Sequence, residues 1–154
     1  MTTPEARLQS LGLVLPAIAK PRGNFRACVL EGTTLYLSGK GAPVRADGAR
    51  VPKVGGEVSV DQARAYAQEV ALYHLALIRE ALGGFARVQH VVKVLGLVNA
   101  TPDFTQHTEV VDGYSDLVVT VLGERGEHAR SAIGVGSLPR GFAVEIEAVV
   151  QVTA

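Results

Sequence analysis

The sequence predicts an α+β fold, a mostly antiparallel mixed sheet with two helices packed on one face. Two observations support this prediction. Segments rich in β-branched or alternating apolar residues are interrupted twice by apolar residues at helical spacing, which gives the order β-β-α-β-α-β-β. No internal repeat or linker divides the 154 residues. We therefore expect one domain over residues 1–154.

Composition narrows the class of protein further. The apolar fraction of 47% is that of an ordinary globular domain, and the 15 basic and 15 acidic residues are scattered along the chain. Because no basic patch is visible, nucleic acid is not an expected partner. The lone Cys28 and four histidines without metal-ligand spacing predict a reducing compartment and no structural metal.

Residues 1–24 predict an irregular lead-in, with a short helix available at "PEARLQSLG". A secretory signal needs a basic segment followed by an unbroken apolar core, and the charged pair Glu5 and Arg7 does not fit this pattern. Apolar runs elsewhere are interrupted well before the roughly 20 residues that a membrane-spanning helix needs. We therefore expect a cytoplasmic protein that does not associate with membranes.

The first structured segment, "FRACVLEGTTLYLSGKG", predicts a hairpin turning at Glu31 and Gly32. Its second strand, from Thr34 to Ser38, is expected to end in a Gly-bearing turn. Ser38, Gly39, Lys40 and Gly41 would then lie at a strand exit. The Gly- and Pro-rich residues 42–58 predict a loop with at most a short strand.

The clearest helix is predicted from Ser59 to Gly83. Ser59 is an N-cap residue, Gln62 completes a capping box, and Gly83 is a typical C-terminal stop. An apolar stripe at helical spacing would face the sheet: Ala63, Tyr66, Ala67, Val70, Leu77 and Ile78. We interpret His74, near this stripe, as a packed or solvent-grazing side chain rather than a metal ligand.

Three later strands and a second helix complete the prediction. A long strand is expected from about Val88 to Val98, a helix within 105–124, and strands at "SAIGVGSL" and "AVEIEAVVQV". In the last strand Val144, Ile146, Ala148, Val150 and Val152 share one side. The opposite side mixes Glu145 and Glu147 with apolar residues, which is typical of a surface closed by another subunit.

Arg130 and Glu145 are the candidate chemical pair. They belong to consecutive strand segments, so the two side chains could reach one cleft. A guanidinium group suits a substrate carboxylate, with a bidentate contact that contributes about 1.5 to 3 kcal/mol. A shielded glutamate could position or deprotonate water. The alternative is a plain ion pair of Arg130 with Glu145, with Glu147 or with a neighbouring chain.

The segment "ARSAIGVGSLPRGFAVEIEAV" is very similar to the C-terminal signature of the RidA/YjgF family of imine deaminases: Arg-Ser, a small apolar strand, Leu-Pro, then Val-Glu-Ile-Glu. "LYLSGKG" resembles the family's strand ending in Ser-Gly. "DGYSDLVVTVLGERGEHARSAIGV" resembles the longer branch of the superfamily, often labelled chorismate-mutase-like. The resemblance runs in matching order from about Phe25 to Val152.

This resemblance implies a homotrimer with a cleft at each subunit interface, in which 2-imino acids and their enamine tautomers are hydrolysed to 2-oxo acids and ammonia without a cofactor. By position, the carboxylate-binding arginine is Arg130 and the water-positioning glutamate is Glu145. A backbone contact falls on Ala132, and the Ser-Gly pair on Ser38 and Gly39.

The sequence departs from the deaminase pattern at several positions. Phe25 replaces a tyrosine, Lys40 replaces a glutamine, and the segment 101–115 is longer. Asp112 takes the position where the longer branch commonly has asparagine, and Thr108 is the other candidate for this polar contact. A non-catalytic protein that binds or senses a small carboxylate metabolite is therefore the second hypothesis. Neutral charge and few aromatic residues disfavour RNA cleavage, and a shared fold is no evidence for chorismate mutase activity.

Overall fold

The computed structural model describes residues 2–44 and 52–154. Within these ranges three helices and five strands follow the predicted order, with a first short helix in the lead-in. Their bounds are α1 Pro4–Ser10, β1 Cys28–Glu31, β2 Thr34–Ala42, α2 Val60–Leu82, β3 Val88–Asn99, α3 His107–Leu122, β4 Ala129–Val135 and β5 Val144–Val152. Part of the loop predicted over 42–58, at 45–51, lies outside the described residues.

The five strands form one mixed sheet in the order β1-β2-β5-β3-β4. The pairing of β3 with β4 is parallel, because α3 returns the chain to the end of the sheet where β3 began. All other pairings are antiparallel. The α+β prediction is confirmed. Although β4 and β5 are consecutive in the chain, they are not neighbours in the sheet, since β5 lies between β2 and β3.

The predicted bounds of α2 are confirmed by its caps. The Ser59 hydroxyl accepts a hydrogen bond from the Gln62 N–H at 3.2 Å, and the Gln62 side chain accepts one from the Ser59 N–H at 2.9 Å. Gly83 ends the helix with a left-handed φ of 71°. No helix in the described part of the chain combines the length and apolarity needed to cross a membrane.

Helix α3 packs closely against α2 at Gly113. A Cβ atom at this position would collide with the carbonyl oxygen of Arg64 in α2, so the two helix backbones are in direct contact there. The Arg64 guanidinium also donates to the Asp116 carboxylate and to the Glu109 carbonyl, which ties the two helices together at the surface.

The two faces of the sheet differ in burial. The side chains predicted to form the core side of β5 are all buried beneath the helices, so that alternation is confirmed. The opposite face, called the open face below, carries large apolar side chains in water: Tyr36 is 50% exposed and Ile133 is 48% exposed. Glu145 and Glu147 lie on this open face.

Candidate functional site

A cleft of about 900 Å³ runs along the outer edge of β2. Pairing with β1 stops at Cys28 opposite Leu37, so the second half of β2 is bordered by the lead-in segment instead. Helix α2 and the turn between β4 and β5 complete the walls. Four residues proposed from the sequence line this cleft: Phe25, Ser38, Gly39 and Glu145.

Ser38 and Gly39 lie in a bulge within β2 and not at its end. The predicted end at Ser38 is wrong, because β2 resumes pairing with β5 at Lys40 and continues to Ala42. The bulge is held by all three polar groups of Ser38. Its N–H donates to the Ala27 carbonyl at 2.9 Å, its hydroxyl donates to the Arg26 carbonyl at 2.6 Å, and its own carbonyl accepts from a buried histidine.

The Glu145 carboxylate occupies the space that the missing side chain of Gly39 leaves. A Cβ atom at position 39 would lie 2.6 Å from Glu145 Oε1. Glu145 is half-buried there, and burial raises the pKa of its carboxyl, with a further rise from the negative charge of Glu147. A carboxyl group with a raised pKa accepts a proton from a ligand or from water more readily than a fully solvated carboxylate does.

Arg130 lies on the helix side of β4, opposite the buried Val94 of β3. Its Nη1 donates to Asp112 Oδ1 and to Ser115 Oγ, both at 2.9 Å, and its side chain is 17% exposed. Its Nε and Nη2 atoms form no hydrogen bond with any residue in the ranges 2–44 and 52–154. That edge of the guanidinium is the one that can hold a carboxylate through two parallel hydrogen bonds.

Ser115 and His128 extend the surroundings of Arg130 and were not predicted. His128 Nδ1–H donates to the Gly126 carbonyl at 2.6 Å, so its Nε2 accepts from the Ser115 hydroxyl at 2.9 Å. Because the Ser115 hydroxyl proton points to His128, its oxygen accepts the hydrogen bond from Arg130 Nη1. Burial lowers the pKa of His128, and the positive charge of Arg130 lowers it further. The three-residue spacing of Asp112 and Ser115 on one helix face was the available sequence signal.

The remaining predicted residues have other surroundings. Arg130 forms its ion pair with Asp112. Within the chain it is therefore not paired with a glutamate of β5, which was the alternative. Ala132 packs its side chain against the core from β4, and Thr108 is exposed in the first turn of α3. Phe25 is 57% exposed where the lead-in segment borders the cleft.

A single chain does not bring Arg130 and Glu145 together. They lie on opposite faces of the sheet with β3 between their strands. Two strand spacings of about 4.8 Å separate them laterally, in addition to the thickness of the sheet. A small ligand that contacts both groups therefore has to lie between two chains.

A buried histidine connects the bulge to α3. His74 is fully buried, and because the Ser38 carbonyl can only accept, His74 Nε2 carries the proton and donates to it at 3.3 Å. His74 Nδ1 then accepts from the Tyr114 hydroxyl at 2.9 Å. The prediction of a packed histidine is confirmed. Among residues 2–44 and 52–154, no group of three His, Cys, Asp or Glu side chains could hold a metal ion.

Acidification is expected to destabilise the protein through His74. Burial lowers the pKa of His74 from 6.5 to about 4. Because the unfolded chain binds the proton more readily, stability is fully present above pH 6.5 and is lost as the pH falls towards 4. The two pKa values correspond to a loss of about 3 kcal/mol. Urea unfolding at pH about 7.5 and about 4.5 measures it.

The matched variant for this measurement is His74→Gln, which keeps a donor and an acceptor but does not titrate. Its free energy of unfolding should depend less on pH than that of the parent protein by about 3 kcal/mol over the same interval. Equal pH dependence in the two proteins would contradict the assignment of this loss to His74.

A family model described as "YjgF/chorismate_mutase-like, putative endoribonuclease" matches residues 5–142. Protein TCP17 of Trypanosoma cruzi is 40% identical over 147 residues, which cover 95% of this chain and 92% of that protein. The crystal structure of Atu1372 from Agrobacterium tumefaciens, a protein of unknown function, is 37% identical with a TM-score of 0.86, covering 99% of this chain and 94% of that one. RidA from the Antarctic bacterium Psychrobacter sp. PAMC 21119 is 27% identical with a TM-score of 0.57, covering 86% and 93%. The chain combines a capped α2 helix, a mixed five-stranded sheet and a segment that runs from Arg-Ser to Val-Glu-Ile-Glu. By the match of the family model it belongs to the YjgF/chorismate-mutase-like family, and RidA is among its solved relatives.

Proposed function

We propose that the protein hydrolyses reactive 2-imino acids and enamines to 2-oxo acids and ammonia, in clefts between the subunits of a cytoplasmic homotrimer. The observation that carries this proposal is the half-buried Glu145 carboxyl with its raised pKa, seated against Gly39 in the cleft. Membership of the family that includes RidA supports the same reaction class.

Glu145 acts on two proton transfers of the hydrolysis. A water molecule adds to the carbon of the protonated imine and passes a proton to the Glu145 carboxylate, which forms a tetrahedral carbinolamine. The carboxyl then returns the proton to the nitrogen, the C–N bond breaks, and the hydroxyl proton of the carbinolamine passes to the departing ammonia, so that the products are a 2-oxo acid and an ammonium ion. A raised pKa suits a group that has to accept and return a proton within one turnover.

Arg130 holds the substrate carboxylate. Asp112 and Ser115 fix its guanidinium through Nη1, while Nε and Nη2 remain for the substrate. Such positioning accounts for much of the rate, because a protonated imine is already electrophilic and needs mainly a water molecule held in line with its carbon.

A second copy of the chain is part of this proposal. The open face exposes Tyr36 and Ile133 on the same side of the sheet as Glu145, and apolar side chains of this size are commonly covered by a partner. A neighbour that covers this face and presents the edge of its own β4 would bring its Arg130 towards Glu145. The expected assembly is checked by sedimentation equilibrium, in which a monomer would contradict it.

The activity test follows imines that an amino-acid oxidase generates in the cuvette. We expect Arg130→Gln to lower kcat/KM by about 10- to 100-fold, because it removes a charge-assisted contact with the substrate. The matched control is Arg64→Gln, which removes another arginine from an ion pair with a carboxylate of α3 and should retain activity. Failure of the parent protein to accelerate the loss of small, branched and aromatic imines would overturn the proposed function.

One observation favours the second hypothesis, a protein that binds a carboxylate metabolite without turnover. Phe25 borders the cleft without the hydroxyl group of the deaminases' tyrosine. Under this hypothesis 2-oxo acids bind in calorimetric titrations, and Glu145→Gln retains that affinity in a protein without hydrolytic activity. The family description also names ribonuclease activity, so a single-stranded RNA substrate belongs in the same assay series.

A further inference from the structure

The cleft along β2 is positively charged although the chain as a whole has no net charge. Its lining contains four cationic side chains and two carboxylates: Lys20, Arg22, Lys40, Arg140, Glu69 and Glu145. The lining therefore has two more cationic side chains than carboxylates. An excess of positive charge favours an anionic ligand in the cleft.

Lys40 is the cation nearest to the reacting groups along the chain. It directly follows the Ser38 and Gly39 bulge and pairs with Ile146 of β5, so its side chain leaves β2 on the helix side. Glu145 leaves the sheet on the open face, and both side chains line the cleft at the edge of β2. Its Nζ lies 4.4 Å from the centre of the Tyr73 ring, so the ring holds the ammonium group in the cleft. Burial and the positive charge of Arg140 lower the pKa of Lys40. Lys40 and Arg140 line the same cleft, where their like charges repel each other.

Arg140 is held in an unusual backbone conformation in the turn between β4 and β5. Its φ of 55° is in the left-handed region that non-glycine residues rarely adopt. Such a conformation persists where the surrounding structure determines it, and it is found disproportionately at ligand sites. Among the described residues neither Arg140 nor Lys40 forms a salt bridge. Both charges are thus available to an anionic ligand.

We propose that the cleft takes 2-imino acids whose side chain carries a second anionic group, of which a dicarboxylic imino acid is the simplest, and that Lys40 and Arg140 bind this group. The inference rests on the proposed function for its reaction. With the α-carboxylate on a neighbour's Arg130 and the reacting carbon at Glu145, the side chain of the substrate extends towards Lys40. A second charge-assisted contact there selects dianionic over monoanionic substrates of equal length.

The test compares two five-carbon imines generated in situ, 2-iminoglutarate from glutamate and 2-iminopentanoate from norvaline. We expect kcat/KM for the dicarboxylic imine to be higher by about tenfold or more. Lys40→Gln and Arg140→Gln should each reduce that ratio several-fold while 2-iminopentanoate is still hydrolysed. Arg79→Gln, an exposed cation of α2 outside the cleft, is the matched control and should leave the ratio unchanged.

Binding of the products separates this inference from the reaction itself. In calorimetric titrations 2-oxoglutarate should bind more tightly than 2-oxopentanoate, and both variants should remove the difference. If neither imine is hydrolysed but this preference is present, the proposed function fails and the charge selectivity is supported. Equal kcat/KM for the two imines in the parent protein, or a ratio that neither variant changes, overturns the charge selectivity while the deaminase function stands.

Discussion

Replacing Glu145 with glutamine is expected to lower kcat for imine hydrolysis by about 10²- to 10⁴-fold. The amide keeps the size of the side chain and its place beside Gly39, but it can neither take a proton from water nor return one to ammonia. Glu145 is half-buried on the open face, so the fold should tolerate the change. The measurement is single-turnover or steady-state hydrolysis of 2-iminobutanoate, with circular dichroism to confirm folding.

Glu147→Gln is the matched control for this prediction. It removes a carboxylate from the same strand and the same face, two residues further along. Activity should persist, and because the charge of Glu147 raises the pKa of Glu145, removing it should shift the acidic limb of the pH profile to lower pH. If Glu145→Gln retains full activity, or if both glutamine variants lose it equally, Glu145 is not the proton-transfer group.

Gly113→Ala is expected to cause the largest loss of stability of any single methyl addition in α3. The new Cβ would collide with the Arg64 carbonyl oxygen, and because that atom belongs to the backbone of α2, a whole helix has to move. The alanine gains about 1 kcal/mol in helix propensity. Overpacking against backbone costs more than this gain, and we expect the free energy of unfolding to fall by about 3 kcal/mol. Urea denaturation monitored by fluorescence of the tyrosines measures the change.

The control is Gly136→Ala, in the turn after β4. A Cβ atom there meets no heavy atom within 4 Å, and the residue has no left-handed φ. Its free energy of unfolding should therefore change by less than about 0.5 kcal/mol. Equal stability of the Gly113→Ala variant and the parent protein would contradict the close contact between α2 and α3.

Local signals accounted for much of the fold. The caps of α2 could be predicted because Ser59, Gln62 and Gly83 act on hydrogen bonds within a few residues of themselves. The alternation in β5 predicted its two faces because side chains of a strand point to opposite sides whatever the partner strands are. The family resemblance was equally local in origin, since it rested on continuous motifs.

Features that depend on distant residues were not predictable. Strand order placed β3 between β4 and β5, and the registers of both strands with β3 put Arg130 on the helix side and Glu145 on the open face. The bulge at Ser38 and Gly39 depends on continued pairing with β5, and a Gly-rich segment reads as a turn when that partner is unknown. The spacing of Asp112 and Ser115 places them on one face of α3, but their contact with Arg130 and that of Ser115 with His128 depend on how α3 lies over β4.

The separation of Arg130 and Glu145 on two faces has a consequence for mixed populations of chains. Under the proposed arrangement each subunit contributes Arg130 to one site and Glu145 to another. A variant without Arg130 therefore still contributes an intact Glu145, and a variant without Glu145 still contributes an intact Arg130. When two such impaired proteins are unfolded together and allowed to reassemble in equal amounts, about one quarter of the shared sites receive both intact halves. Activity would then return without any intact gene product, as intragenic complementation.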